Sequence, residues 1–328
     1  MMGGPGMQSM MRHYILRFTA LALLLASGSA WSQEFPCESA KLIVPWARGG
    51  STDNIYRIIV ASANNVGAAP RLQIVNVLGQ GGAKGAKQVQ RAKPDGCTLL
   101  AVHQSIMTSY FIKRLNFTWD AFDPIALLTT TPAVVGASLK TPYDDIPGLV
   151  EAARRSPGTI VTGSTLGSTS HFLLLMLEHT AGVRFEHFNY DGDKERIMAL
   201  LSGDIAVGEV NFAAARGFID DIKLKALGIS TIERIPQHPN VMTLREQGVD
   251  VVFSTDRGVL VPKGTPGLLT RQLRTIFARA MRDPKVIEAL AEHGTTVKYL
   301  GRRDYGKYLA ETYAEWEKIA VGVGMYKR

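Results

Sequence analysis

The stretch "IVPWARGGSTDNIYRIIV", Ile43 to Val60, runs an apolar strand into two glycines and a Ser-Thr-Asp and then opens an amphipathic helix. Two physical readings of the turn stay open together. Ser51 or Thr52 can N-cap the helix, and Asp53 in the first turn suits the positive end of its dipole. Gly49 and Gly50 let the backbone turn sharply and leave its N–H groups uncovered, so the same turn can hold a carboxylate or phosphate.

Strand followed by helix is the unit repeated along most of the chain. "KLIVP", "LQIVNV", "CTLLAV", "AVVGASL", "TIVTGS", "RFEHF", "IAVGEV", "LKALGIS" and "RGVLVP" read as strands, with helices at 55–64, 83–93, 147–156, 171–181 and 194–202 between them. This alternation implies an α/β fold of βαβ units with mainly parallel sheets. In such sheets ligands bind beyond the carboxyl ends of strands. From Thr265 onward the pattern reads as nearly all helix, laid against a lobe already formed.

The first 32 residues carry Arg12, His13 and Arg17 and then "FTALALLLASGSAWS", an apolar run closed by small residues. This is the pattern of a secretory signal, with cleavage expected after Ser32 or, second, after Ala30. The run is too short to span a bilayer, and no other stretch reaches about 18 apolar residues, so the mature protein is expected to be exported and not membrane-embedded. Losing Arg12 and Arg17 lowers the formal charge from +8 to +6. That balance favours anions, but no Lys/Arg cluster with interleaved aromatics supports nucleic-acid binding. Two cysteines, Cys37 and Cys97, in an exported chain point to a disulfide.

Two further glycine-rich turns match the first. "NVLGQGGAKGAKQVQRAKPDG", Asn76 to Gly96, has Lys84 where a dinucleotide fingerprint needs glycine and no Walker A Lys-Ser/Thr. What survives is a strand-to-helix turn in which Gly82 and its neighbours allow close backbone approach. "TIVTGSTLGSTSHFLLLMLEH", Thr159 to His179, again ends a strand in Ser164, Thr165, Gly167 and Ser168 before a helix opening at Thr169 or Ser170. Two lobes that each present a helix start of this kind would grip a molecule with one or two carboxylates. Catalytic and metal motifs are missing: there is no G-x-S-x-G elbow, no H-E-x-x-H, and the seven histidines lack metal-ligand spacing. No cofactor is expected. Ser51 or Ser168 with His171 is the one pairing an exported hydrolase could use.

These motifs, with "HFNYDGDKERIMALLSGDIAVG", "LKALGISTIERIPQHPNVMTLREQGVD" and "VPKGTPGLLTRQL" in order, resemble the periplasmic solute-binding proteins of tripartite tricarboxylate transporters, the Bug family, over nearly the whole mature length. The resemblance implies a two-lobed periplasmic-binding-protein fold of the Venus-flytrap type, with one lobe from 33–132 and 253–328 and the other from 133–252. It implies a small carboxylate ligand, delivery to integral-membrane transporter subunits, and no enzyme activity. A sensor subunit signalling to a membrane receptor is the alternative, and a monomer is expected by analogy. Carried over by position, Pro45, Trp46, Gly49, Gly50, Ser51, Thr52 and Asp53 come to the ligand from the first loop. Gly82, His103 and Gln104 join them; Ser164, Thr165, Gly167, Ser168, Thr169 and His171 face them; Tyr190, Gly192, Glu209 and Asn211 complete the walls. Arg48, Asp191 and the pair Asp256-Arg257 depart from the family pattern. An inward Arg48 or Arg257 would favour a second acidic group on the ligand, and an inward Asp53, Asp191 or Asp256 a cationic one.

Overall fold

Strand β1 (Ser39–Val44) sends Ala40, Leu42 and Val44 into one core cluster and Ile43 into another, as a strand buried on both faces must. The computed structural model describes residues 35–65, 70–236 and 238–327. The expected signal at 1–32 lies outside the described residues. From β1 the chain makes α1 (Ser51–Asn65), β2 (Arg71–Asn76), α2 (Ala83–Gln90), β3 (Thr98–Val102) and α3 (Ser105–Phe111), and β1 pairs in parallel with both β2 and β3. Cys37 and Cys97, just before β1 and β3, form the expected disulfide with their Cα atoms 6.1 Å apart.

The long β4 (Phe122–Ser138) then carries the chain to the other end of the sheet. There α4 (Ile146–Arg155), β5 (Val161–Ser164), α5 (Thr169–Ala181), β6 (Glu186–Asn189), α6 (Asp193–Ser202), β7 (Val207–Asn211), α7 (Phe212–Asp220) and β8 (Leu224–Ile229) repeat the alternation, with β5 parallel to β6 and β7. β9 (Ser254–Pro262) returns, followed by α8 (Gly267–Ala280), α9 (Pro284–Glu292), β10 (Thr296–Gly301) and α10 (Arg302–Gly322). The strand order is β2-β1-β3-β9-β4-β7-β5-β6, with β8 and β10 also on β4.

Parallel pairing therefore holds at both ends, while in the middle β3, β4, β7, β8, β9 and β10 pair antiparallel. A chain that leaves on β4 and comes back beside it on β9 must run the opposite way. β4 changes partner midway: Phe122 to Pro132 pair with β9, and Ala133 to Ala137 with β7. Pro132, which has no N–H to give a ladder, stands at that change. The expectation of an almost wholly helical C-terminal part fails at β10, where Thr296, Val297 and Tyr299 favour a strand and β4 offers an edge. α10 packs across both ends, stacking Trp316 on Phe172 of α5 with ring centroids 4.4 Å apart. Among the described residues no helix is long and apolar enough to cross a membrane.

Candidate functional site

The loop after β1 is held from within by Asp53. Its buried carboxylate accepts hydrogen bonds from the Gly49 N–H at 2.8 Å, Asn76 Nδ2 at 2.8 Å, and Arg57 at 2.7 and 3.1 Å. Burial pushes this carboxyl up, yet the bonds from Arg57, Asn76 and Gly49 outweigh it and leave the group below its ordinary value. Gly49 has φ of 78°, a region that favours glycine, and this lets its N–H point back at Asp53. The helix starts at Ser51, so Ser51 and Thr52 lie inside it and their hydroxyls point away to distant residues. Ser51 Oγ donates to Asp193 Oδ2 at 2.7 Å, and Thr52 Oγ1 accepts from Arg257 Nε at 3.0 Å.

Arg257 is the unusual group of the site. It is 2% exposed and donates to Thr52, to Thr131 Oγ1 at 2.6 Å and to the Thr255 carbonyl at 3.4 Å, all neutral acceptors. Among the described residues it forms no ion pair with a carboxylate. Alternation along β9 puts it on one face of the strand and Asp256 on the other. Asp256 is fully engaged there, with Lys298 Nζ at 2.7 Å, Tyr308 Oη at 2.8 Å and the hydroxyls of Thr130 and Ser254. Burial draws the Arg257 pKa down, while Tyr56, Asp193, Asp256 and Glu209 pull it back up. Across the ladder from Arg257 stands Thr129, whose buried hydroxyl has no hydrogen-bond partner among the described residues.

Facing this group from the other end of the sheet is a buried cluster on α6 and β7. Arg196 donates to Asp193 Oδ1 at 2.5 Å, Glu209 Oε2 at 2.9 Å, the Glu209 carbonyl at 2.8 Å and Thr165 Oγ1 at 3.2 Å. Burial raises the Glu209 carboxyl to about 7 against the pull of Arg196. The adjoining loop holds itself: Thr165 Oγ1 donates to the Tyr190 carbonyl, and Ser170 Oγ accepts from the Thr165 N–H and bonds with Ser168 Oγ. Thr108 Oγ1 donates to the Gly167 carbonyl at 2.9 Å, which ties this loop to α3. Ser164 Oγ, at the end of β5, is buried with no hydrogen-bond partner among the described residues.

The sequence matches the model of the tripartite tricarboxylate transporter family receptor over residues 57–325. The chain belongs to this receptor family. The receptor is 30% identical to a Pseudomonas sp. (strain P51) relative, the UPF0065 protein in the tcbD-tcbE intergenic region, over 97% of this chain and 96% of that one. Among solved structures it resembles MatC from Rhodopseudomonas palustris with bound malate, at 27% identity and a TM-score of 0.79 over 87% of this chain and 99% of that one. It also resembles the periplasmic binding protein BugD, at 25% identity and a TM-score of 0.79, over 88% and 99%. The fold is that of the periplasmic binding proteins.

In this receptor the remaining candidate positions differ in burial and in what they bond. Trp46 stacks on His103 with centroids 4.0 Å apart, and Gly82 leaves room for the indole: a Cβ there would sit 3.3 Å from Trp46 Cζ2. Burial, with Arg257 nearby, holds His103 neutral well below its usual range, and its Nδ1 accepts from the Ser105 N–H. Gln104 is committed to β9 and α10, bonding Ser254, Asp256 and Tyr308. Arg48 is exposed, and exposed Asp191 bonds Asn189 and Glu195. Pro45 and Thr169 are buried, Gly50 half-buried beside Ala47, and Asn211 ends β7. Tyr190 lies over Gly163, and Gly192 leads into α6.

Neither serine proposed for a hydrolase bonds His171. His171 Nδ1 accepts from the Gly167 N–H, burial lowers the ring to about 3, and Ser51 and Ser168 bond elsewhere. Sequence reading missed Asp193, Arg196 and Thr131. The available signal was a charge at an apolar helix position, Arg196 one turn before buried Leu200, together with Glu209 inside a buried strand.

Proposed function

We propose that the protein captures a small carboxylated organic anion between the two ends of its sheet and presents it, in the periplasm, to integral-membrane subunits of a tripartite tricarboxylate-type transporter. In this reading 33–132 with 253–328 and 133–252 are lobes that close on the ligand, 1–32 is an export signal, and the chain acts as a monomer without catalysis. The observation that carries it is Arg257, a buried guanidinium bonded to hydroxyls and a carbonyl, with no carboxylate in direct ion-pair contact among the described residues. A buried cation of this kind is costly until a carboxylate answers it, and guanidinium and carboxylate pair bidentately. Malate in MatC supports the ligand class.

The test is calorimetric titration of protein that has been unfolded and refolded to strip trapped ligand. Aliphatic and aromatic carboxylic acids are compared with their primary amides. At least one acid should bind, with its amide at least tenfold weaker. At about 100 times its dissociation constant that acid should stabilise the fold by about 2.7 kcal/mol. Binding of amide and acid alike, or of no acid at all, would overturn the reading.

A further inference from the structure

Buried Arg257, Arg196 and Glu209 and half-buried Asp193 act on one another's charge as one group, and its internal pairing is uneven. Both acids already share Arg196, and the second oxygen of Asp193 is held by Ser51 from the opposite end of the sheet. Within this group Arg257 is the cation left to answer a charge from outside. Other cations nearby are committed: Arg57 to Asp53 and Lys298 to Asp256. The nearby histidines His103 and His171 are held neutral. A first carboxylate on Arg257 would also meet the Thr52 and Thr131 hydroxyls and the positive end of α1. A second one on the same molecule would come up against Glu209 and Asp193.

We propose that the site around Arg257 accepts one carboxylate per ligand, a monocarboxylate with an uncharged remainder, and that Glu209 and Asp193 reject the second acid group of a dicarboxylate. This rests on the carboxylate-binding reading above and sets the chain apart from MatC, whose structure holds malate. The charged groups that face Glu209 are Arg196 and Asp193 from α6 and Arg257 from β9. Protonating Glu209 removes one of the two rejecting charges. Discrimination is therefore strongest above neutral pH and fades as pH falls through about 7.

The experiment titrates stripped protein with matched pairs, butyrate against succinate and benzoate against terephthalate, at pH 8 and pH 6. The better monoacid should bind at least tenfold tighter than its diacid at pH 8, with the gap narrowing at pH 6. Glu209→Gln should narrow the gap at pH 8 and remove its pH dependence; if that variant does not fold, the wild-type comparison decides alone. A diacid that binds as tightly as its monoacid at pH 8 overturns the proposal and leaves carboxylate binding intact. Arg114, which donates to the Leu166 carbonyl, would then be the cation to examine for its second group. No binding of any acid overturns the carboxylate reading and this proposal with it.

Discussion

Replacing Arg257 by Met should separate the demands of folding from those of binding. In the ligand-free protein the change removes three hydrogen bonds from a charged donor, at 3.0, 2.6 and 3.4 Å. Such bonds contribute about 1.5–3 kcal/mol each when well formed, and the longest here contributes least. Against them stands the desolvation of a guanidinium that is 2% exposed, which costs several kcal/mol and is returned when the side chain becomes apolar. The two effects are of similar size, and one stranded acceptor, Thr131 Oγ1, keeps Thr295 as a partner. The ligand-free melting temperature should therefore stay within about 4 °C of wild type, given about 2–4 °C per kcal/mol for large domains. Binding has no such compensation. Losing one partner of a buried charge pair costs about 2–5 kcal/mol, or roughly 30-fold to several thousand-fold in affinity. Calorimetry for the acid and scanning calorimetry for the stripped protein read the two effects separately. A fall in melting temperature above 10 °C with unchanged affinity would show Arg257 to be a structural ion and refute the reasoning. Arg257→Lys, which keeps the charge and loses the fork, should fall between the two.

Other outcomes follow from the same structure. Replacing Cys37 and Cys97 by Ala frees a loop spanning 60 positions and should lower stability in urea by about 4 kcal/mol; a loss under 1 kcal/mol would contradict the chain-entropy account. Gly167→Ala forces a Cβ onto φ of 76° and to 2.1 Å from Ile112 Cδ1, so it should cost about 1–3 kcal/mol and loosen the loop that Thr108 ties down. Because His171 is lowered in the folded state, its contribution is complete above its ordinary 6.5 and is lost as pH falls toward about 3. His171→Gln should thus flatten the acid limb of a stability-against-pH curve by about 1.4 kcal/mol per unit below 6.5, and an unchanged slope would refute the neutral assignment. Glu209 acts in the opposite sense: its raised value stabilises below its ordinary 4.5, and that stability is lost as pH rises through about 7.

The α/β architecture was legible because most strands are short β-branched runs bounded by glycine, proline or a helix start, a local signal. The antiparallel middle of the sheet was not, since the direction in which β9 returns beside β4 is decided by pairing between residues far apart in sequence. The glycine turns were readable as helix starts, and the sequence left open whether Ser51 and Thr52 cap the helix or serve the site. Their hydroxyls have partners, Asp193 and Arg257, that only the folded chain brings within reach. Whether Asp256 or Arg257 turns inward depends on a register with β4 that shifts near Pro124 and Leu127. The motif "DKER" at the start of α6 reads as an ordinary solvated helix turn, which is why Asp193 and Arg196 escaped notice.

The pairing of Pro132 with Ser254 has a consequence for how the chain comes into being. These neighbours close the ladder between β4 and β9, but the whole of 133–252 is synthesised between them. While that stretch emerges, β1, β2 and β3 wait with β3 lacking the partner it takes from β9, and with β10 and the three C-terminal helices still to come. The intervening stretch supplies β5, β6, β7 and β8 together with the end of β4 that pairs with β7 and β8. The half encoded at the start can therefore complete its sheet only once the returning strand that carries Arg257 has been made, because both β3 and the first part of β4 pair with it.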